Sequence, residues 1–331
     1  MVQVPGEGPG GVILPEQYGT LVEEDQPAVT WADFQGWVAD LDDRWSFRGH
    51  AISEWRLEAT LERATTQLVS AIVGTIWHVS RERLRPEIHE KQTLLDFQRG
   101  AHQYFSPTPA DDELVDWLAL MQHHGAPTRL LDWTRSPYVA LYFALERADP
   151  KKRPAIWAID REWMDKESGR AMKKHDRRRP DPSNFAAMSR YINSILFKGN
   201  NPTVIVPANP IRMNDRMTAQ QGHFLCNLSH KESFDVSLFR MLRNSSTKTP
   251  PVRKLLVEQD HRIAMLKELR RMNIHSASLF PGLDGFARSL GIQLQIGIEA
   301  DIENWRRSVK RKLAKMSKPS AQAPVPKPVT P

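Results

Sequence analysis

Cysteine is almost missing from this chain: Cys226 is the only one in 331 residues. An intrachain disulfide is therefore excluded, which fits a reducing compartment. Long apolar runs are also missing. With 40% hydrophobic and 26% charged residues, no stretch approaches the roughly 20 apolar residues of a spanning helix. Met1 to Gly11 holds neither a basic nor an apolar leader region, so no secretory signal is expected and a cytoplasmic location is. The common nucleotide signatures are lacking as well. No P-loop occurs, no G-x-G-x-x-G follows a strand, and no G-x-S-x-G elbow is present. His123 and His124 are adjacent and point apart, with no second His/Cys pair at ligand spacing, so no metal is expected. Cys226 sits in an apolar pattern, HFLCNL, and reads as buried filler.

Charge is present but unevenly placed. The formal excess is +7, yet residues 1–30 carry −5 and residues 306–331 carry +8. Within the body, Lys151 to Arg179 holds eleven bases and five acids. Basicity is thus a property of a tail and one internal stretch, and bears on contacts more than on a reaction.

Residues 1–29 lack apolar periodicity and read as a flexible acidic arm, and 317–331 as a disordered Pro/Lys tail. Thr30 reads as an N-cap before a helix carrying Trp31, Phe34 and Trp37. Strands are expected at 44–48, 155–159, 203–206 and 223–228. Helices are expected near 80–104, 111–123 and 258–272, and after Ser136-Pro137. The Lys/Arg-rich 160–182 stretch is expected as an exposed insertion. In 300–316, Ile302, Trp305, Val309, Leu313 and Met316 share one face of a basic amphipathic helix, expected to dock that stripe on the domain. The mixture indicates an α+β fold.

The densest chemistry lies in Gln122 to Thr134, QHHGAPTRLLDWT. An amide, two imidazoles, a guanidinium, a carboxylate, an indole and a hydroxyl fall within one connection. Arg129 and Asp132 are spaced to pair with each other. His123 stands at a helix end, where a cationic ring would meet the negative dipole and Gly125 suits C′.

These residues carry a resemblance. Phe47-Arg48-Gly49, the run Gln122 to Thr134 continued by Ser136-Pro137 and Val139 to Ala144, Gln220-Gln221-Gly222-x-Phe224, and Leu279 to Gly285 are similar to four ordered motifs of the FRG-domain family. The similarity spans roughly residues 30–295, giving an expected domain at 30–298 that includes the 160–182 insertion, followed by the basic helix at 299–316. A second, shorter similarity is to ADP-ribosyltransferases. In those enzymes an Arg or His on a first strand, a Ser-Thr-Ser-like strand leading into an Ala-x-x-Phe helix, and a Glu or Gln on a later strand form the site. The matching positions are Arg48, Asp132-Trp133-Thr134, and Gln220 or Gln221.

That resemblance implies a split mixed sheet surrounded by helices, with NAD as substrate and a macromolecular acceptor. Arg48, Thr134, Gln221 and Asp132 would be catalytic. NAD would be held by Arg48, Gln122, His123, Arg129, Trp133, Thr134 and Tyr142. Asp132 or Glu54 would have to supply the carboxylate that a glutamine at the third position lacks. The alternative is a non-catalytic module binding a nucleotide or nucleic acid. Lys173, Lys174, Arg177, Arg178, Arg179 and the basic helix at 306–315 are the residues that would meet nucleic acid phosphates. A toxin or phage-defence setting is compatible with such an activity.

Overall fold

A computed structural model of the chain describes residues 22–73, 85–181 and 184–316. The first elements are β1 (Glu23–Ala28), α1 (Trp31–Ala39), β2 (Trp45–His50), α2 (Thr60–Val73), α3 (Pro86–Ala101) and α4 (Leu114–His123). Then follow β3 (Leu130–Thr134), α5 (Pro137–Glu146), β4 (Ala155–Asp160), α6 (Arg161–His175), α7 (Phe185–Ile195), β5 (Ile205–Pro207) and α8 (Asp215–Ala219). The chain continues through β6 (Gly222–Asn227), α9 (Phe234–Arg243), β7 (Val252–Val257), α10 (Arg262–Arg271), α11 (Ser276–Leu279) and α12 (Leu283–Met316).

Local signals start several of these elements. Thr30 Oγ1 accepts from the Asp33 amide, and the Asp33 carboxylate accepts from the Thr30 amide at 2.7 Å, a complete capping box. Ser136 caps α5 by accepting from the Val139 amide, with Pro137 fixing the first helical φ.

The strands form one seven-stranded mixed sheet in the order β1-β7-β4-β2-β3-β6-β5, flanked by helices. Only β1 and β7 run parallel; the other neighbours are antiparallel. Each face carries a core. One gathers Phe47, Ala158 and Leu255 against α5 and α10; the other gathers Leu131, Trp157 and Leu225 against α4, α6 and α7.

Pairing between β2 and β3 is reduced to Phe47 opposite Thr134, so the sheet parts on either side of that contact. What holds β2 in place is its packing on α5. A Cβ at Gly49 would lie 2.0 Å from the Ala140 carbonyl oxygen and 2.6 Å from the Ala144 amide nitrogen. Glycine on the strand and two alanines on the helix permit this backbone approach.

Four expectations change. Glu23–Ala28, assigned to the arm, is an edge strand, because Asp25 accepts two hydrogen bonds from Arg253 Nε at 3.1 Å and one from Trp37 Nε1 at 2.7 Å. The 160–182 stretch is largely the helix α6, tied down by buried Trp163, Met164 and Met172. The basic helix is the second half of the 34-residue α12; Ile302, Trp305 and Leu313 are 44%, 66% and 60% exposed, so their stripe docks on nothing described. Strand β7 and helix α2 went unforeseen. The rest of the arm, residues 1–21, the tail at 317–331 and part of the helix expected at 80–104 lie outside the described residues.

Replacing Gly49 with alanine should cost about 3 kcal/mol of stability, the upper range for overpacking, since backbone on the helix cannot yield. Thermal unfolding checks it: an unchanged midpoint contradicts the close approach.

Candidate functional site

The site begins with strand periodicity. Phe47 and Gly49 face α5, which turns Ser46, Arg48 and His50 to the opposite side of β2. Arg48 stands where β2 and β3 part. Its Nη1 donates to the Asp132 carbonyl at 2.6 Å and lies 4.0 Å from the Asp132 carboxylate, while Nε donates to His50 Nε2 at 3.1 Å. Nη2 has no acceptor among the described residues. Burial lowers the Arg48 pKa to about 10; Asp132 opposes the shift and Arg63 adds to it. The group remains a cation at neutral pH. His50 is 4% exposed, and burial together with Arg48, Arg63 and Lys254 lowers its pKa well below the usual histidine value. Its Nδ1 makes no hydrogen bond of ordinary geometry, although the Trp55 backbone counters a little of the shift. A neutral ring accepting at Nε2 orients the guanidinium.

The Gln122–Thr134 run divides between inside and outside. Asp132 is exposed, and its charge reaches both Arg48 and Arg216. His123 ends α4 with Gly125 at φ +86°, as the cap pattern implied. Burial, then His124 and Arg216, lower its pKa, so the cationic ring expected at the dipole end is disfavoured. Gln122 turns inward, where its Oε1 accepts from the Thr128 hydroxyl.

Arg129 does not pair with Asp132. It is 2% exposed and meets Glu90 of α3, donating from Nε at 2.7 Å and also from Nη2. Its Nη1 donates to the Leu196 and Leu228 carbonyls, both at 3.2 Å. His230 Nε2 lies 2.9 Å from the same Glu90 oxygen. Burial alone would raise Glu90, but the Arg129 charge and the hydrogen bonds from His230 and Arg129 hold its carboxyl down at about 2. Arg129 is a structural cation enclosed by protein, and nothing dissolved can reach it. Arg129 lies just before β3 and Asp132 within it, so the extended chain separates two residues whose spacing would suit a helical pair.

Other positions are also tied internally. Thr134 Oγ1 donates to the Gln220 carbonyl at 2.7 Å and accepts from the Ser136 amide at 3.0 Å. Gln220 Nε2 donates to the Leu279 carbonyl at 3.0 Å. Gln221 is exposed at φ +50°, and its carbonyl accepts from the Arg135 amide at 3.1 Å. Trp133 and Tyr142 are 2% and 1% exposed, Tyr142 bonding to Ser276. The closing motif contributes Phe280, whose ring lies 4.7 Å from the Arg216 guanidinium and 4.2 Å from that of Arg288. All four motifs therefore interlock: β2 beside β3, β3 beside β6, and Gln220 bonded to Leu279.

Residues 43–153 match the family model of the FRG domain. The chain carries an FRG domain. No curated protein and no solved structure matches the chain. The matched stretch holds the Phe47-Arg48-Gly49 motif and the whole Gln122–Ala144 signature. The FRG-domain tripeptide thus has three physical duties: Phe47 fills a core, Arg48 stands at the split, and Gly49 admits α5.

Sequence reading missed His50, Trp55, Arg63 and Arg216. His50 was findable, since it lies two residues after Arg48 and so on the same strand face. Trp55, 40% exposed with its ring 6.2 Å from His50, had no local signal, and Arg216 comes from a distant element. No group of three or more His, Cys, Asp or Glu placed to hold a metal occurs among the described residues.

Replacing Glu90 with glutamine strands the buried Arg129 charge and should cost about 3–5 kcal/mol, read as a fall in unfolding midpoint. Because the folded Glu90 pKa lies below its ordinary 4.5, its stabilisation is complete above that value. It is lost as pH falls towards about 2, so wild type should weaken over that window and the glutamine variant much less. Parallel pH profiles for the two proteins contradict this.

Proposed function

We propose that the β2–β3 split, with Arg48 and Asp132, binds NAD and transfers its ADP-ribose to a macromolecule. The observation that supports this best is the placement of Arg48 and Asp132 across the gap, with an unused guanidinium N–H beside an exposed carboxylate. A guanidinium binds pyrophosphate oxygens through paired donors, which an ammonium cannot copy. In the transfer, the bond from the ribose C1′ to nicotinamide breaks, and its electron pair leaves with nicotinamide. The acceptor nucleophile then bonds to C1′ and gives up its proton. An oxocarbenium-like charge develops between those events, and the Asp132 carboxylate is the group positioned to stabilise it. Gln221, exposed at the start of β6, would orient ribose hydroxyls or the acceptor. Arg216, on which the charge of the same Asp132 acts, would add to the anion-attracting field.

Trp133 and Tyr142 are enclosed, which leaves Trp55 as the aromatic face for nicotinamide or adenine. Thr134 would act by fixing the Gln220–Gln221 backbone rather than by touching ribose. Those internal bonds favour the second reading, an FRG module that binds a nucleotide or nucleic acid without turnover. In either case, acceptor phosphates would meet Lys173, Lys174, Arg177, Arg178 and the 306–315 segment.

Incubation with labelled NAD and protein, DNA or RNA acceptors separates the two readings. Transfer with nicotinamide release is expected, lowered on the order of 10²–10³-fold by Asp132→Asn and by Arg48→Ala. Binding without release would leave only the module. Nucleic acid binding, if it carries the acceptor, should weaken steeply with added salt; affinity flat from low to moderate salt would remove that contact.

A further inference from the structure

Away from Arg48, a polar cavity of about 260 Å³ lies among β4, β6, α6 and α7. None of its lining residues borders Arg48. Its polar wall includes Arg135, Arg161, Arg179, Asp165, His223 and Ser189, and its apolar wall includes Met164, Met188 and Leu225.

Three observations make this a built site. First, it holds buried polar groups with nothing to bond. His223 is 7% exposed and neither ring nitrogen has a partner; Ser189 Oγ, in a residue 5% exposed, and Arg179 Nε are also unpartnered. Buried donors of this kind cost free energy unless a ligand or water meets them. Second, the cations are held in place by the fold. Arg161 Nε donates to the Arg44 carbonyl at 3.0 Å and its Nη2 to the Asp43 carbonyl, which leaves Nη1. Gly169 makes room for Arg179: a Cβ there would stand 2.9 Å from Arg179 Nη1. Third, the charge has a definite size. Burial lowers the His223 pKa to about 3, with Arg135 and Arg161 adding to it, so the ring is neutral at physiological pH. Among the lining residues, three arginines against the single carboxylate of Asp165 then leave +2, with Asp181 acting on Arg179 from outside the lining.

A monocarboxylate would leave half that charge unmatched, whereas a phosphate monoester dianion balances it. Methionine and leucine on the other wall accommodate an apolar substituent, and the volume suits a compact one. We propose that this cavity is a binding site for a small phosphate monoester with an apolar or aromatic group. The arginines bond the phosphate oxygens, His223 and Ser189 donate to the oxygens that remain, and the methionine wall holds the substituent. The cavity stands apart from the NAD reading and does not depend on it.

Calorimetric titration of the full chain with phenyl phosphate, inorganic phosphate and benzoate tests the assignment. Phenyl phosphate should bind one to one, with benzoate and inorganic phosphate each weaker by about tenfold or more. Arg135→Ala, at an exposed position that the fold does not need, and Arg179→Ala should each weaken phenyl phosphate by about tenfold or more. Arg48→Ala should leave it unchanged. Absence of saturable binding at millimolar phenyl phosphate overturns the proposal, as does benzoate binding equally well. Loss in Arg48→Ala with retention in Arg135→Ala places the anion at Arg48 and also overturns it.

Discussion

The close approach of β2 to α5 is the constraint on which the rest depends. Backbone meets backbone there, because Gly49 has no side chain and Ala140 and Ala144 have almost none. Strand alternation then follows from geometry: if Gly49 and Phe47 must face the helix, Arg48 must face away from it. Position along the strand does the remainder, because β2 keeps a single residue pair with β3 and diverges at the level of Arg48. A packing requirement thus becomes the placement of a cation. His50, on the same strand face, is kept neutral by burial and accepts from Arg48 Nε, which fixes the guanidinium plane.

Opposite this contact lies a second fixed point, the enclosed Arg129–Glu90 pair. It joins β3 to α3 and, through carbonyls of Leu196 and Leu228, to the segments that follow α7 and β6. Such a pair adds little net stability over an apolar replacement, yet its donors accept only one arrangement. Asp132, three residues on, owes its exposed position to a strand anchored in this way. The Gln122–Thr134 signature is therefore mixed in purpose. Arg129, Thr128 and Gln122 build the inside, while Asp132 is exposed and His123 half-buried.

Much of the fold was legible because capping and alternation are local. Thr30, Ser136-Pro137 and the AIWAI strand declare themselves through their neighbours alone. The edge strand β1 was not legible, since Glu23, Glu24 and Asp25 look like a solvated run until Arg253 and Trp37 arrive from elsewhere. The basic 160–182 stretch misled for a related reason: its charges outnumber the few apolar residues that seat α6. In the site, Arg48 and Asp132 were found in sequence, but which of the polar run faces outward was not. An i,i+3 pair suits a helix, and the run crosses into a strand. Trp55 and Arg216 needed the tertiary fold to join them.

Arg48 is the residue on which the functional account turns, and the chemistry claimed for it is planar, paired donation to pyrophosphate. Calorimetric titration of NAD into wild type and into Arg48→Lys tests that claim most directly, because lysine keeps the charge and removes the fork. The account predicts affinity lower by about tenfold or more in the lysine variant, with the unfolding midpoint near that of wild type. Equal affinity in the two proteins, or no NAD binding to wild type, would contradict it.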